Sequence, residues 1–467
     1  MTKEKRKYCL KGPSENGQIE DLLEGKDDKD SRQRLQALIA EWLRMENLVV
    51  LTGAGCSVSC GGKKIEDLEK SVLEAVGEVA KKTNDKKTML SAGAKALIVE
   101  RQKEFSKRQS WAQTSFEEWL SYLVNTVHVM SDKKSPIKSI GWKEDGASIE
   151  DVDQLVSYIS KAIYAECALT LPDETGAKEG ERQIAPHLAF LSKLVTRDSN
   201  LGRTHLFTLN YDTLFEQALE ILGIQYFDGF TGKANARFDP AVYGLDIYYP
   251  GEVAEGRVRR FDKFLHYYKL HGSIHWKIVA GELRARHDAI LDFEKYRIKE
   301  AVKKAEDLIT AGFACSHKEF GILPTSNKFV QTLEMPYAHL FRSFSARLSI
   351  PQTFLLVLGY GFGDDHITKI IETALTNPAL VMLVVEPRPD SPTIERISRY
   401  KELGKRAFVL TSTEDAFKSS EYKYATFDDF AKSVMPDVQW LDDFLRLRRF
   451  EKQLQKDRDE KDGIEDA

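Results

Sequence analysis

The stretch Asn47-Leu-Val-Val-Leu-Thr52-Gly53-Ala54-Gly55-Cys56-Ser57 decides the fold. Five residues suited to a buried strand run straight into a Gly-x-Gly turn, with a small hydroxyl two residues later. The two glycines let the backbone turn sharply and approach a ligand that a Cβ would block. Amides at the end of a parallel strand, with a helix N-terminus following, form a favourable site for a pyrophosphate. Val58 stands where a complete dehydrogenase fingerprint has its third glycine. Taken alone, the turn predicts a nucleotide site and nothing narrower.

Working outward, strand-like runs recur at 204–209, 266–271, 353–359, 380–385 and near 407–411. Several are continuously apolar, as parallel strands covered on both faces are. Helical patterns at 211–222, 333–348, 365–375 and 391–402 alternate with them. This alternation predicts an α/β fold, a Rossmann-like doubly wound parallel sheet. Leu35, Leu38, Ile39, Trp42 and Leu43 share one helical face ahead of the first strand. Residues 63–198 read as mostly helical, a large insertion, and a smaller second insertion falls near 277–318. The polar, charged residues 1–30 read as a flexible extension. The sheet domain is expected over 31–415, with a C-terminal helical segment and charged tail over 416–467.

The 467 residues carry 68 basic and 72 acidic side chains, a net charge of −4. That excludes a globally basic nucleic-acid binder but leaves room for a local groove. Arg257, Arg259, Arg260 and the Lys81–Arg108 segment are the basic stretches that would make a DNA contact. No apolar run reaches bilayer length, and no hydrophobic region follows the charged N-terminus, so a cytoplasmic protein without a membrane anchor is expected. The five cysteines are sparse and odd in number, which fits a reducing compartment. Only Cys56 and Cys60 lie close together; without a second pair, neither structural zinc nor another metal site is expected. Gly62-Lys63-Lys64 lacks both the upstream glycine and the final hydroxyl of an ATP-binding loop.

Three short motifs fall at the C-terminal ends of expected strands, where open α/β sheets bind ligands. Gly53, Ala54, Gly55 and Ser57 form the first, as backbone and hydroxyl partners for phosphates. Leu209-Asn210-Tyr211-Asp212 is the second, and Asp212 reads equally well as the cap of the following helix. Leu270-His271-Gly272-Ser273 is the third. His271 is either a satisfied core histidine or a cleft-facing base with a suitable ordinary pKa. A fourth motif, Gly359-Tyr-Gly361-Phe-Gly363-Asp364-Asp365-His366-Ile367, again joins a strand to a helix. Gly359, Gly361 and Asp364 are its candidates for ligand contact, with helix capping the alternative for the aspartates. Glu386, after the 380–385 run, is placed either to accept hydrogen bonds from a ribose or simply to lie exposed in a loop.

In this order the motifs resemble the sirtuin superfamily. Gly53-Ala54-Gly55-x-Ser57 is similar to its nucleotide turn, Asn210-x-Asp212 to its Gln-Asn-x-Asp segment with Leu209 replacing the glutamine, and His271-Gly272 to its catalytic His-Gly. The resemblance implies that Asn210 holds the nicotinamide ribose or a water and that His271 is the general base. The zinc ribbon of the protein deacylases is missing. Their Gly-Ile-Pro-Asp-Phe-Arg and Gly-Thr-Ser segments are replaced by Gly61-Gly62-Lys63-Lys64-Ile65 and by the glycine-aromatic loop, so protein deacylation is not expected. Residues 55–64, 227–232 and 270–276 are similar to bacterial defence-associated sirtuin-like proteins, in particular the subunit paired with a HerA-type ATPase. That similarity implies an NAD⁺ glycohydrolase that consumes NAD⁺ as substrate, yields ADP-ribose and nicotinamide, and depletes NAD in anti-phage abortive infection. It also implies a homo-oligomer and a HerA-type ATPase partner. Two alternatives stand beside it: a DNA-processing nuclease or DNA-sensing subunit, and a non-catalytic NAD⁺ or ADP-ribose sensor.

Overall fold

The strand that carries the glycine turn lies in the middle of a nine-stranded sheet. Its strands are β1 (Tyr8–Pro13), β2 (Ile19–Asp21), β3 (Asn47–Thr52), β4 (Thr204–Thr208), β5 (Gln225–Phe227), β6 (Phe264–Lys269), β7 (Thr353–Leu358), β8 (Leu380–Val385) and β9 (Ala407–Ser412). They are ordered β2-β1-β9-β8-β7-β3-β4-β6-β5. From β9 across to β5 all neighbours are parallel, and β1 and β2 close one edge antiparallel. The computed structural model describes residues 6–13, 19–25, 27–81, 90–107, 115–131, 139–140, 146–172, 184–198, 200–249, 260–286, 335–392, 406–420 and 424–437.

Side chains alternate between the two faces of the sheet, as strand geometry requires. Leu48, Val50, Leu206, Leu265, Leu356 and Leu383 enter one buried cluster; Val49, Leu51, Phe207, Tyr268, Leu355 and Val384 enter the other. The first face is covered by α1 (Asp28–Leu43), α6 (Pro186–Leu194), α7 (Leu214–Ile221) and the turns at 427–434. The second is covered by α8 (Tyr337–Leu348) and α9 (Asp365–Ala374). The chain leaves β3 through β4 and β6 on one side, then returns through β7 on the other. This makes the β3/β7 boundary a topological switch point, the place where such sheets take ligands. Register sharpens it: Thr52 lies opposite Leu358 and Thr208, and Thr208 opposite Lys269, so four strand ends finish at one level.

The helical insertion comprises α2 (Ile65–Lys81), α3 (Ala92–Ser106), α4 (Phe116–Ser131) and α5 (Ile149–Cys167) around a core of its own. Within it, Arg101 forms a fully buried ion pair with Glu69 at 2.7 Å, under the Trp119 ring. Small strands at 230–231, 237–238, 276–279 and 282–285 make a separate four-stranded sheet.

Parts of three expected segments pack into the sheet. Among the described residues of the expected extension 1–30, Tyr8 and Leu10 of β1 are fully buried, because β1 supplies hydrogen-bonding partners to the otherwise bare edge of β9. The insertion ends earlier than residue 198, since Ala189, Phe190, Leu191 and Leu194 of α6 pack into the sheet core. Among the described residues after 415, Phe427, Phe430, Val434 and Met435 enter that same core. Outside the described residues lie most of the second insertion (287–318), all but the first two residues of the helix expected at 391–402, the tail beyond 437, Arg257, Arg259, and residues 82–89 and 108 of the basic Lys81–Arg108 segment. Among the described residues no helix is long and apolar enough to cross a membrane.

Burial of β1 makes a stability prediction. Leu10→Ala should lower unfolding stability by about 2–5 kcal/mol, the usual cost of truncating a buried leucine, read as a shifted urea midpoint. An unchanged midpoint would mean that β1 is not part of the folded core.

Candidate active site

Five neighbouring strands deliver the candidate residues to one edge of the sheet. Gly53, Ala54, Gly55 and Ser57 follow β3, Asn210 and Asp212 follow β4, His271 follows β6, Gly359, Gly361 and Asp364 follow β7, and Glu386 follows β8. The glycine turn behaves differently from expectation. Its backbone is packed against another loop: Gly53 N–H donates to Leu358 O at 3.0 Å and Gly55 N–H to Gly359 O at 2.9 Å. A Cβ on Gly55 would sit 2.6 Å from Gly359 Cα, and one on Gly359, itself at φ +62°, would sit 2.5 Å from Cys56 N. These two glycines are therefore required by loop-to-loop contact. No helix begins at the turn either; residues 54–56 and 58–60 form two 3-10 turns, Gly62 N–H closes back on Ser57 O, and α2 starts only at Ile65.

Ser57 is buried and faces inward. Its hydroxyl donates to Asp212 Oδ2 at 2.6 Å and accepts from Asn210 Nδ2 at 2.9 Å. The second Asn210 amide hydrogen goes to Gly53 O at 3.0 Å. A carbonyl only accepts, so Gly53 O fixes which end of the amide faces it. Both Nδ2 hydrogens are thereby committed, and what Asn210 can offer a ligand is its amide oxygen.

Asp212 caps the following helix, as one of its two readings expected, and also holds Ser57. One carboxylate oxygen holds Ser57, and the other accepts Leu214 N–H at the start of α7, where Thr213 gives no side-chain cap. Burial raises its pKa above the ordinary carboxylate value, while the Lys269 charge and the Ser57 bond act the other way. Lys269 Nζ donates to the Asp212 carbonyl and forms a 2.8 Å ion pair with Glu216, whose other oxygen accepts Tyr267 OH at 2.8 Å. This support was missed in the sequence. Its signal was present: a lysine in the fully buried β6 run Phe264–Lys269 must have a buried partner.

His271 is buried at the end of β6, and its ring centroid lies 5.7 Å from that of His366. Donor atoms of His271, Asp364 and His366 fall within 4.8 Å of one another. Asp364 occupies the N-cap position of α9 without a side-chain capping bond. The loop before it is held by its own aromatics: Tyr360 and Phe362 are buried 5.0 Å apart, with Tyr360 OH on the Asp364 carbonyl. Phe362 adopts φ +56°, an uncommon left-handed conformation for a bulky residue. Gly361 is exposed, and a Cβ there would meet nothing within 4 Å. Glu386 is buried rather than exposed, two strands from the glycine turn. It accepts Arg388 N–H at 3.2 Å, and burial raises its pKa against the opposing Arg388 and Lys64 charges.

The loops that carry Asn210 and His271 are joined to each other and to the insertion. Ile274 N–H donates to Tyr211 O at 3.0 Å; Ile274 is buried in the insertion core, and Tyr211 packs on it. A small, half-open groove lies at the opposite edge of the sheet, beside the start of β4 and β6. Its Arg197 and Arg203 are occupied by backbone carbonyls and Asp246.

A doubly wound parallel sheet with polar side chains gathered at its switch point has the arrangement in which open α/β sheets take ligands. The family model for the SIR2-like domain matches residues 204–407. The matched span holds Asn210, Asp212, His271, the glycine-aromatic loop and Glu386, and it supports a sirtuin-like reading of this part of the chain. A search of curated proteins gives no significant match.

The buried Lys269–Glu216 pair makes the second prediction. Lys269→Met leaves Glu216 charged and uncompensated, so it should destabilise the protein by about 3–5 kcal/mol. Adding Glu216→Gln should recover part of that loss in urea unfolding. Equal melts for wild type and Lys269→Met would refute the pairing.

Proposed function

We propose that this chain is an NAD⁺ glycohydrolase, converting NAD⁺ and water into ADP-ribose, nicotinamide and a proton. The observation that carries the reading is the oriented amide of Asn210, with Gly53 O and Ser57 Oγ holding both its hydrogens. The amide oxygen is left to accept from a ribose hydroxyl or a water, one strand away from His271. Neighbouring parallel strands are about 4.8 Å apart, so the ends of β4 and β6 bracket one sugar.

The chemistry asks little more of the protein. The bond from ribose C1′ to the cationic pyridinium breaks with its electron pair going to nicotinamide, which leaves neutral. Positive charge develops on the ribose, and water attacks C1′ from the open face. His271 accepts the proton that water loses, and Asn210 fixes the water or the sugar in the geometry for attack. The exposed Ala54 and Gly361 lie along the same edge, where the rest of the dinucleotide is held.

Similarity of residues 55–64, 227–232 and 270–276 to defence-associated proteins extends the proposal to NAD depletion during phage infection, as a homo-oligomer with a HerA-type ATPase partner. Release of nicotinamide from NAD⁺ by the full-length protein tests the reaction. His271→Ala should lose about 10²–10⁴ in rate, the usual worth of a general base. Asn210→Asp, which turns a carboxylate towards Gly53 O and the Asp212 side of Ser57, should lose at least about 100-fold through misplaced reactants. Full activity in folded His271→Ala would overturn the assignment, and NAD⁺ bound but left intact by the wild type would favour a sensor.

A further inference from the structure

NAD⁺ cleavage as described uses one member of a three-residue cluster. The other two, Asp364 and His366, stand at the start of α9 with donor atoms within 4.8 Å of each other and of His271. We propose that His271, Asp364 and His366 form a site for a zinc-class dication whose binding holds the hydrolase off. The inhibition rests on the reading of His271 as general base; the binding does not.

The donor set selects the ion. Two imidazoles and one carboxylate suit zinc and its borderline neighbours and leave coordination positions open, whereas magnesium and calcium prefer oxygen alone. Zinc–ligand bonds near 2.0–2.1 Å put tetrahedral donors about 3.3 Å apart. The cluster must therefore contract modestly. His271 is buried at a strand end, while Asp364 and His366 at the start of α9 are half-buried. The Phe341 ring, 5.1 Å from that of His366 and 6.4 Å from that of His271, walls one side with apolar surface. Such a shell limits water at a metal. The positive end of α9 opposes a bare cation, but the Asp364 carboxylate offsets it.

Inhibition follows from counting lone pairs. A neutral imidazole has one ring nitrogen able to accept, and the other carries hydrogen. Once His271 gives that lone pair to a metal, it has none with which to take a proton from water.

The test uses full-length protein stripped by a chelator. Titrated with Co²⁺ as a spectroscopic stand-in, it should develop visible ligand-field absorption at one equivalent per chain, displaced by Zn²⁺. His366→Ala and the closer-sized His366→Gln, each checked for folding by circular dichroism, should bind at least about 10-fold more weakly. In parallel, Zn²⁺ should suppress nicotinamide release by the wild type at least about 10-fold, reversibly with chelator, and leave each His366 variant near its own metal-free rate. No cobalt absorption, or binding and inhibition unchanged in both His366 variants, overturns the proposal. If stripped wild type cleaves no NAD⁺ at all, the hydrolase reading fails separately, and the cobalt titration still decides the site.

Discussion

The ends of β3 and β7 touch backbone to backbone, and the remainder of the site is built on that contact. Gly55 N–H reaches Gly359 O, Gly53 N–H reaches Leu358 O, and neither Gly55 nor Gly359 has room for a Cβ. With the turn pinned in this way, the Gly53 carbonyl and Ser57 hydroxyl are rigid partners for Asn210 from the neighbouring strand. Preorganisation is the physical content of this arrangement. An amide held at both hydrogens needs no reorganisation to present its oxygen.

A buried polar chain continues outward from that amide. Ser57 passes to Asp212, the Asp212 carbonyl to Lys269, Lys269 to Glu216, and Glu216 to Tyr267. Buried groups of this kind are tolerable only when every member is paired, and this chain links strand β6 to the β4 loop. The helical insertion adds a further constraint. Ile274 and Tyr211 place the loops after β6 and β4 against one hydrophobic core, so neither loop moves without disturbing it.

Much of the fold was legible because continuous apolar runs such as Leu380–Val385 and Thr353–Leu358 allow little except buried parallel strands. The edge strand Tyr8–Pro13 was not, since six residues amid polar sequence carry too few buried side chains to outweigh their surroundings. Helix α6 read as part of the insertion because periodicity reports an apolar face without saying which core it joins. At the site, the positions of Asn210 and His271 at strand ends were readable from motif and order. The inward direction of Ser57 was not: a small hydroxyl after a glycine turn has the same pattern whether it meets a phosphate or Asp212. His366 belongs to the glycine-aromatic motif, yet its neighbour His271 is 95 residues away in sequence, and only the sheet brings them together.

In the proposed reaction the Asn210 amide oxygen, together with His271, faces the ribose to be cleaved. A crystal structure of the full chain with a carbocyclic NAD⁺ analogue, whose nicotinamide bond cannot be hydrolysed, tests it most directly. The account predicts the nicotinamide-side sugar ring between the ends of β4 and β6, with a hydroxyl or water on Asn210 Oδ1 and His271 on the open face. An analogue bound elsewhere, or an Asn210 side chain turned to present Nδ2 to the ligand, would contradict it.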